Sequence, residues 1–201
     1  MNILYKNIFR DNCVMDGRNS LLTNPCSFMD VKPIMIEWPY PPIQVNERNQ
    51  NYANLLSIDY CGSVSELSAI TQYINNENRL SGDRCTIAKT ILGIAMAEMI
   101  HLQKLGELIV LLSGNVDYTA KTHNGRIQMW TPKYITIPGN PQEMLRADIE
   151  SEKDAIRQYK MHMEIIRDDA VNAVLARIIK DEEYHIIMLE TLMDELKECQ
   201  P

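Results

Sequence analysis

Glycine, proline and positive charge are all in short supply in this chain. Eight glycines and nine prolines among 201 residues fall mostly in a few stretches, and Leu, Ile, Met, Ala and Glu dominate the rest. Such a composition favours helix over sheet. Lys and Arg number 20 against 27 Asp and Glu, a formal net charge of −7, which argues against the basic footprint of a nucleic-acid binder. Of the cysteines Cys13, Cys26, Cys61, Cys85 and Cys199, no two form a C-x-x-C pair, and the number is odd. Neither a disulfide framework nor a cysteine-rich zinc or iron–sulfur site is expected; free thiols in a reducing cytoplasm are. Long hydrophobic runs are missing too. The N-terminus carries Lys6, Arg10 and Asp11 with no apolar core after them, unlike a signal peptide. The most apolar stretch, 105–112, is interrupted by Glu107 and is too short to span a membrane. The expectation is one cytoplasmic domain that meets neither membrane nor nucleic acid, with 45% hydrophobic residues to build its core.

What is present reads as helices behind an irregular arm. Residues 1–48 are rich in Asn, Asp and Pro, and Trp38-Pro39-Tyr40-Pro41-Pro42 cannot be helical. The apolar residues Ile34, Met35, Ile36, Trp38 and Tyr40 argue that this arm is ordered, laid on the rest of the chain or on a neighbouring subunit. From 49 to 201 the pattern is helical. A first helix is expected over 51–76, where Leu55, Leu56, Val64, Leu67, Ile70 and Ile74 follow a helical period. A second, capped by Ser81 or Asp83, runs to about residue 113 and stops at Gly114. Residues 114–139 hold three glycines (Gly114, Gly125 and Gly139), two prolines and the aromatics Tyr118, Trp130 and Tyr134; a connection this long suits a crossover along a bundle. Asn140-Pro141-Gln142-Glu143 reads as a helix start. That third helix reaches about residue 167, Asp168 and Asp169 punctuate, and a fourth reaches about residue 197.

The chain also contains an internal repeat. Glu66, Ala69, Ile70, Gln72 and Tyr73 recur in register as Glu152, Ala155, Ile156, Gln158 and Tyr159. At a background of about 5% per residue type, four matches beside a fixed glutamate arise in roughly one register in 10^5. The partner helices repeat Glu-x-x-His, as Glu98/His101 and Glu182/His185, lying 32 and 30 residues after the lone glutamates. Residues i and i+3 share a helix face, about 5–6 Å apart at Cβ. Four helices converging at one level would therefore present four carboxylates and two imidazoles. Two divalent cations would neutralise the four acids, which would otherwise repel one another and take up protons.

On these residues the chain resembles the ferritin-like superfamily, nearest to its rubrerythrin and manganese-catalase branches, over residues 50–197. The resemblance implies an all-α four-helix bundle: two antiparallel helix pairs joined by a long crossover, with a core centre of two metal ions, iron or manganese. It also implies that Glu66 and Glu152 are lone-helix ligands, Glu98 and Glu182 bridging carboxylates, and His101 and His185 terminal ligands. Three features differ from the family pattern. Ala155 stands where rubrerythrins often carry an extra Glu, the sequence has no rubredoxin-like four-cysteine module, and manganese catalases are generally longer. Around the ligands, Asp181 is placed to orient His101, and Tyr73 and Tyr159 to hydrogen-bond ligand carboxylates or relay a radical. His162 reads as structural and His123 as exposed. The expected function is redox chemistry of catalase or peroxidase type on hydrogen peroxide or dioxygen, with a separate electron donor if the metal is iron, in a homo-oligomer (a dimer or higher). Ferroxidase-type iron handling, or a bundle in which the metal is mainly stabilising, are the alternatives.

Overall fold

A computed structural model describes residue 24 and residues 26–122 and 124–198. Its helices are α1 (Gln50–Cys61), α2 (Glu66–Leu80), α3 (Cys85–Leu111), α4 (Pro141–Ile165) and α5 (Asp169–Glu198). A two-stranded antiparallel ribbon, β1 (Thr119–Lys121) with β2 (Ile127–Met129), and a 3-10 turn (Pro132–Tyr134) lie between α3 and α4. α2 packs chiefly on α3 and α4 on α5, and α3–α5 and α2–α4 contacts join the two pairs. This is the expected four-helix bundle, with α1 and α2 together forming its first rod.

The expected first helix is broken. α1 ends at Cys61 and α2 begins at Glu66. Gly62 leaves the helix with ψ −166°, and a Cβ there would sit 2.6 Å from the Ile58 carbonyl oxygen. Ser65 then caps α2 by accepting a hydrogen bond from Ser68 N at 3.2 Å. Gln158 of α4 fixes the break, donating to Val64 O and to Asp59 Oδ1, both at 2.8 Å. The apolar period runs on through Val64, which is why the break is invisible in the pattern. Two further expectations change. Neither Ser81 nor Asp83 caps α3, whose start at Arg84 has no side-chain cap; Ser81 instead closes α2. At the end of α3 it is Ser113, not Gly114, that takes the left-handed conformation (φ 72°). Gly114 is needed for space, since a Cβ would lie 2.7 Å from that of Ala53.

The crossover follows α2 turn by turn. Trp130 Nε1 donates to Ser68 Oγ at 3.0 Å, Thr136 N to Gln72 Oε1 at 2.7 Å, and Arg79 Nη2 to Pro138 O at 2.7 Å. α4 starts as its sequence suggests: Asn140 Oδ1 accepts from Glu143 N and Glu143 Oε2 from Gly139 N, each at 3.0 Å.

Buried apolar residues form two clusters with a polar layer between them. One holds Leu105, Leu108 and Ile109 of α3 with Val171, Val174 and Ile178 of α5. The other holds Ile87, Ile91 and Ile94 of α3 with Leu189, Leu192 and Leu196 of α5. Glu98 and His101, and Asp181, Glu182 and His185, occupy the gap. α3 is by length and composition apolar enough to cross a membrane; here it is a core helix of the bundle, carrying a buried acid and a buried imidazole at mid-length.

Candidate metal centre

The polar layer brings all six repeat residues together. Glu66, Glu98, Glu152 and Glu182 are each at most 3% exposed, and His101 and His185 are 0% exposed. His101 Nδ1 faces Glu98 at 2.8 Å, Glu182 at 3.3 Å and Glu66 at 3.6 Å. His185 Nδ1 faces Glu182 at 2.9 Å, Glu98 at 3.0 Å and Glu152 at 3.6 Å. Glu98 and Glu182 thus serve both imidazoles, while Glu66 and Glu152 serve one each. One ring nitrogen cannot satisfy three carboxylates by hydrogen bonding. Glu98 Oε1, aimed at His185, has no hydrogen-bond partner among the described residues. Two four-residue groups, Glu66/Glu98/His101/Glu182 and Glu98/Glu152/Glu182/His185, have donor atoms close enough to hold one metal ion each.

The outer nitrogens of the two rings are held differently. His101 Nε2 lies 3.2 Å from Asp181 Oδ2. His185 Nε2 meets a backbone group, Ile34 O, at 2.8 Å. Both contacts direct Nδ1 inward. Tyr73 donates its hydroxyl hydrogen bond to Glu152 and Tyr159 donates to Glu66, so each tyrosine reaches the glutamate of the other half.

Comparison with known proteins decides the family. The rubrerythrin family's sequence profile matches residues 62–193. The chain belongs to the rubrerythrin family. This rubrerythrin-family chain is 24% identical to a "probable manganese catalase" of Clostridium acetobutylicum over 77% of its own length and 76% of the relative's. A bacterioferritin of Streptomyces coelicolor is 31% identical over 65% of this chain and 74% of that protein. Among solved structures, the manganese catalase KatB of Anabaena superposes with a TM-score of 0.69 at 25% identity, covering 82% of this chain and 81% of that one. The fold is ferritin-like.

Charges in the rubrerythrin-family site are strongly coupled. Burial pushes the Glu66 and Glu152 carboxyls well up, and the neighbouring Glu98 and Glu182 push further. Burial acts on Glu98 in the same direction, but His101 and His185 outweigh it and hold Glu98 well below the usual carboxylate range. Burial would lower both imidazoles; Glu182 and Glu98 raise His101, and Glu98 with Glu152 and Glu182 raises His185. The two imidazoles thus favour their charged forms beside Glu98 and Glu182, while Glu66 and Glu152 are pushed towards their neutral forms; two divalent ions would bring four positive charges in place of two and balance all four carboxylates.

Sequence reasoning left several contributors unnamed. Tyr40 donates to Asp181 Oδ2 at 2.8 Å, and Arg177 Nη1 sits 2.6 Å from the same oxygen. Asp59 pairs with His162 Nδ1 at 2.7 Å, and Asn76 donates to both oxygens of Asp148 at 2.9 and 3.0 Å. Asn76 and His162 occupy equivalent repeat positions, ten residues after Glu66 and Glu152, which is a signal that could have found the pair. A narrow cleft of about 10 Å³, room for about one water molecule, lies against the ligands between Val64, Ser65, Ser151 and Ala155. It shares Val64 and Ser151 with an outer hollow beside Tyr134 and Thr136. One cysteine expectation fails: Cys26 and Cys85, with Cα atoms 5.3 Å apart, form a disulfide. They are 59 residues apart and meet only because the arm crosses the start of α3, so no local motif announces them. The support that free thiols lent to a reducing compartment is withdrawn. Cys61 is free and buried; Cys13, Cys199 and His123 lie outside the described residues.

Proposed function

We propose that Glu66, Glu98, His101, Glu152, Glu182 and His185 hold two metal ions, iron or manganese, and that the centre carries out redox chemistry of catalase or peroxidase type on hydrogen peroxide or dioxygen. The observation that carries this reading is the sharing pattern: each imidazole Nδ1 faces three buried carboxylates, and two of the carboxylates are common to both. Glu98 and Glu182 would bridge. Glu66 with His101 would complete one site, and Glu152 with His185 the other. Carboxylate and imidazole donors suit iron and manganese and not a thiophilic metal. When bound, such a pair supplies or accepts the two electrons that O–O chemistry requires.

The chain's own residues do the rest. Asp181 and the Ile34 carbonyl fix the rings so that Nδ1 lies inward. Tyr73 and Tyr159 hold the lone glutamates in place by their hydroxyls. The narrow cleft beside Val64 and Ala155 suits small substrates and keeps bulk water out. An apolar groove lined by Met99, Leu102, Val110 and Val116 on the outer face of α3 fits a homo-oligomer.

A second reading, ferrous oxidation and iron storage, draws on the 31% identity to a bacterioferritin. Peroxide addition with oxygen evolution recorded separates the two. Oxygen release without an added reductant supports the catalase-type reading; peroxide consumed only with a reductant supports a peroxidase. Ferrous oxidation with iron retained in a large hollow assembly, and no peroxide turnover, would replace both with storage.

A further inference from the structure

Residues 26–48 form no helix or strand, yet they carry a dense set of contacts to the centre. Ile34 N donates to Gly93 O at 2.9 Å, seating the segment against α3. Gly93 makes the seat possible, because a Cβ there would lie 2.9 Å from Lys32 O and 2.8 Å from Ile34 Cγ1. From that seat the Ile34 carbonyl accepts from His185 Nε2 at 2.8 Å. Ile36 N donates to Asp181 Oδ1 at 2.9 Å, and Tyr40 donates to Asp181 Oδ2. Asp181 in turn holds His101 Nε2. Arg177, 6% exposed, binds Ile36 O and Trp38 O at 2.9 Å and stacks over the Tyr40 ring at 4.4 Å. The outer nitrogens of both centre histidines thus depend on one stretch of backbone.

That stretch is fastened at its N-terminal end by Cys26–Cys85, in the first turn of α3. Among the described residues, Asn24 Nδ2 also donates to Ser81 Oγ at 3.1 Å there, and Phe28 packs against the apolar cluster that contains Ile87. From residue 85 to 93 the helix rises about 12 Å, so the segment from Cys26 to Ile34 runs along some two turns of α3 with one covalent anchor.

The geometry points to a redox-latched strap: residues 26–40, closed onto α3 by the Cys26–Cys85 disulfide, position both histidines from outside, and opening the disulfide loosens the centre's hold on metal. Ile34, Tyr40 and Gly93 are positioning residues; none touches the reacting atoms. A dithiol opens the latch by exchange: its two thiols become a disulfide, and the two electrons and two protons it gives up leave Cys26 and Cys85 as thiols. The strap rests on the reading that the six residues bind metal.

The test is the rate at which a chelator strips metal from the whole protein, oxidised and after dithiothreitol, with the Cys26–Cys85 state mapped by mass spectrometry. Outer partners of a metal-bound histidine are worth about 10–100-fold in affinity. Release about 10-fold faster after reduction, and likewise in the double variant Cys26→Ser/Cys85→Ser, is the expected result. Gly93→Ala and Tyr40→Phe keep the disulfide and disturb only the seat or the Asp181 contact; they should also speed release, which keeps the test valid where reduction unfolds the chain. Release within twofold of the oxidised wild type in all of these overturns the strap. Imidazole NMR of protein without metal separates the two readings. His185 Nε2–H should shift on reduction, and an unchanged signal overturns the strap even where the chain binds no metal at all.

Discussion

Asp148 offers the sharpest stability prediction. It is 0% exposed, one turn before Glu152 on α4, and its two oxygens accept from Asn76 alone among the hydrogen bonds of the described residues. Burial raises its carboxyl from 3.8 to about 7, against the lowering effect of Asn76. The sign follows from linkage. The folded state holds the proton more tightly than the unfolded state, so the fold is free of this penalty below pH 3.8, loses stability as pH rises from 3.8 to about 7, and bears the full penalty above. At roughly 1.36 kcal/mol per unit the penalty is about 4 kcal/mol. Asp148→Asn removes the charge, and Asn76 can turn its amide to pair with the new one. Protein without metal should therefore melt higher in the variant at pH 8, by on the order of 10 °C for a chain of this size, and the gap should close as pH falls towards 4. Calorimetric melts across that range check it. A variant no more stable than wild type at pH 8, or a gap that does not change with pH, would refute the reasoning.

Other perturbations test other parts. Gly62→Ala forces a Cβ to within 2.6 Å of Ile58 O and should cost about 1–3 kcal/mol. Ser65→Ala removes the α2 cap and should cost about 1 kcal/mol, both measured by denaturant unfolding. Tyr73→Phe and Tyr159→Phe should leave metal content near wild type but lower kcat/KM with peroxide about 10-fold, and by similar amounts, since each hydroxyl holds the lone glutamate of the opposite half. Markedly unequal losses would show that the two halves have diverged in role.

The bundle and its polar layer were legible because their signals are local. Glu98/His101 and Glu182/His185 are i,i+3 pairs, and the lone glutamates sit in a repeated register that needs no tertiary knowledge. The outer contacts were legible only in part. Asp181 adjoins a candidate ligand, so its bond to His101 was within reach of helix geometry. His185 is held by the backbone oxygen of Ile34, an atom every residue carries, and no side-chain pattern could mark it. The Cys26–Cys85 bridge depends on where the arm crosses α3. The break at residues 62–65 hid under the unbroken apolar period of Leu55, Leu56, Val64 and Leu67. It lies where the cleft to the centre opens, so a local rule yields there beside the site.

The most direct test is metal content by elemental mass spectrometry, on wild type and on Glu98→Ala and Glu182→Ala. About two iron or manganese ions per chain in the wild type are expected. Each variant should lose them while keeping its helical circular dichroism, because a bridging carboxylate serves both ions while the two apolar clusters on either side of the polar layer are left intact. Metal content equal in wild type and both variants, or no metal in the wild type even after reconstitution, would contradict the account.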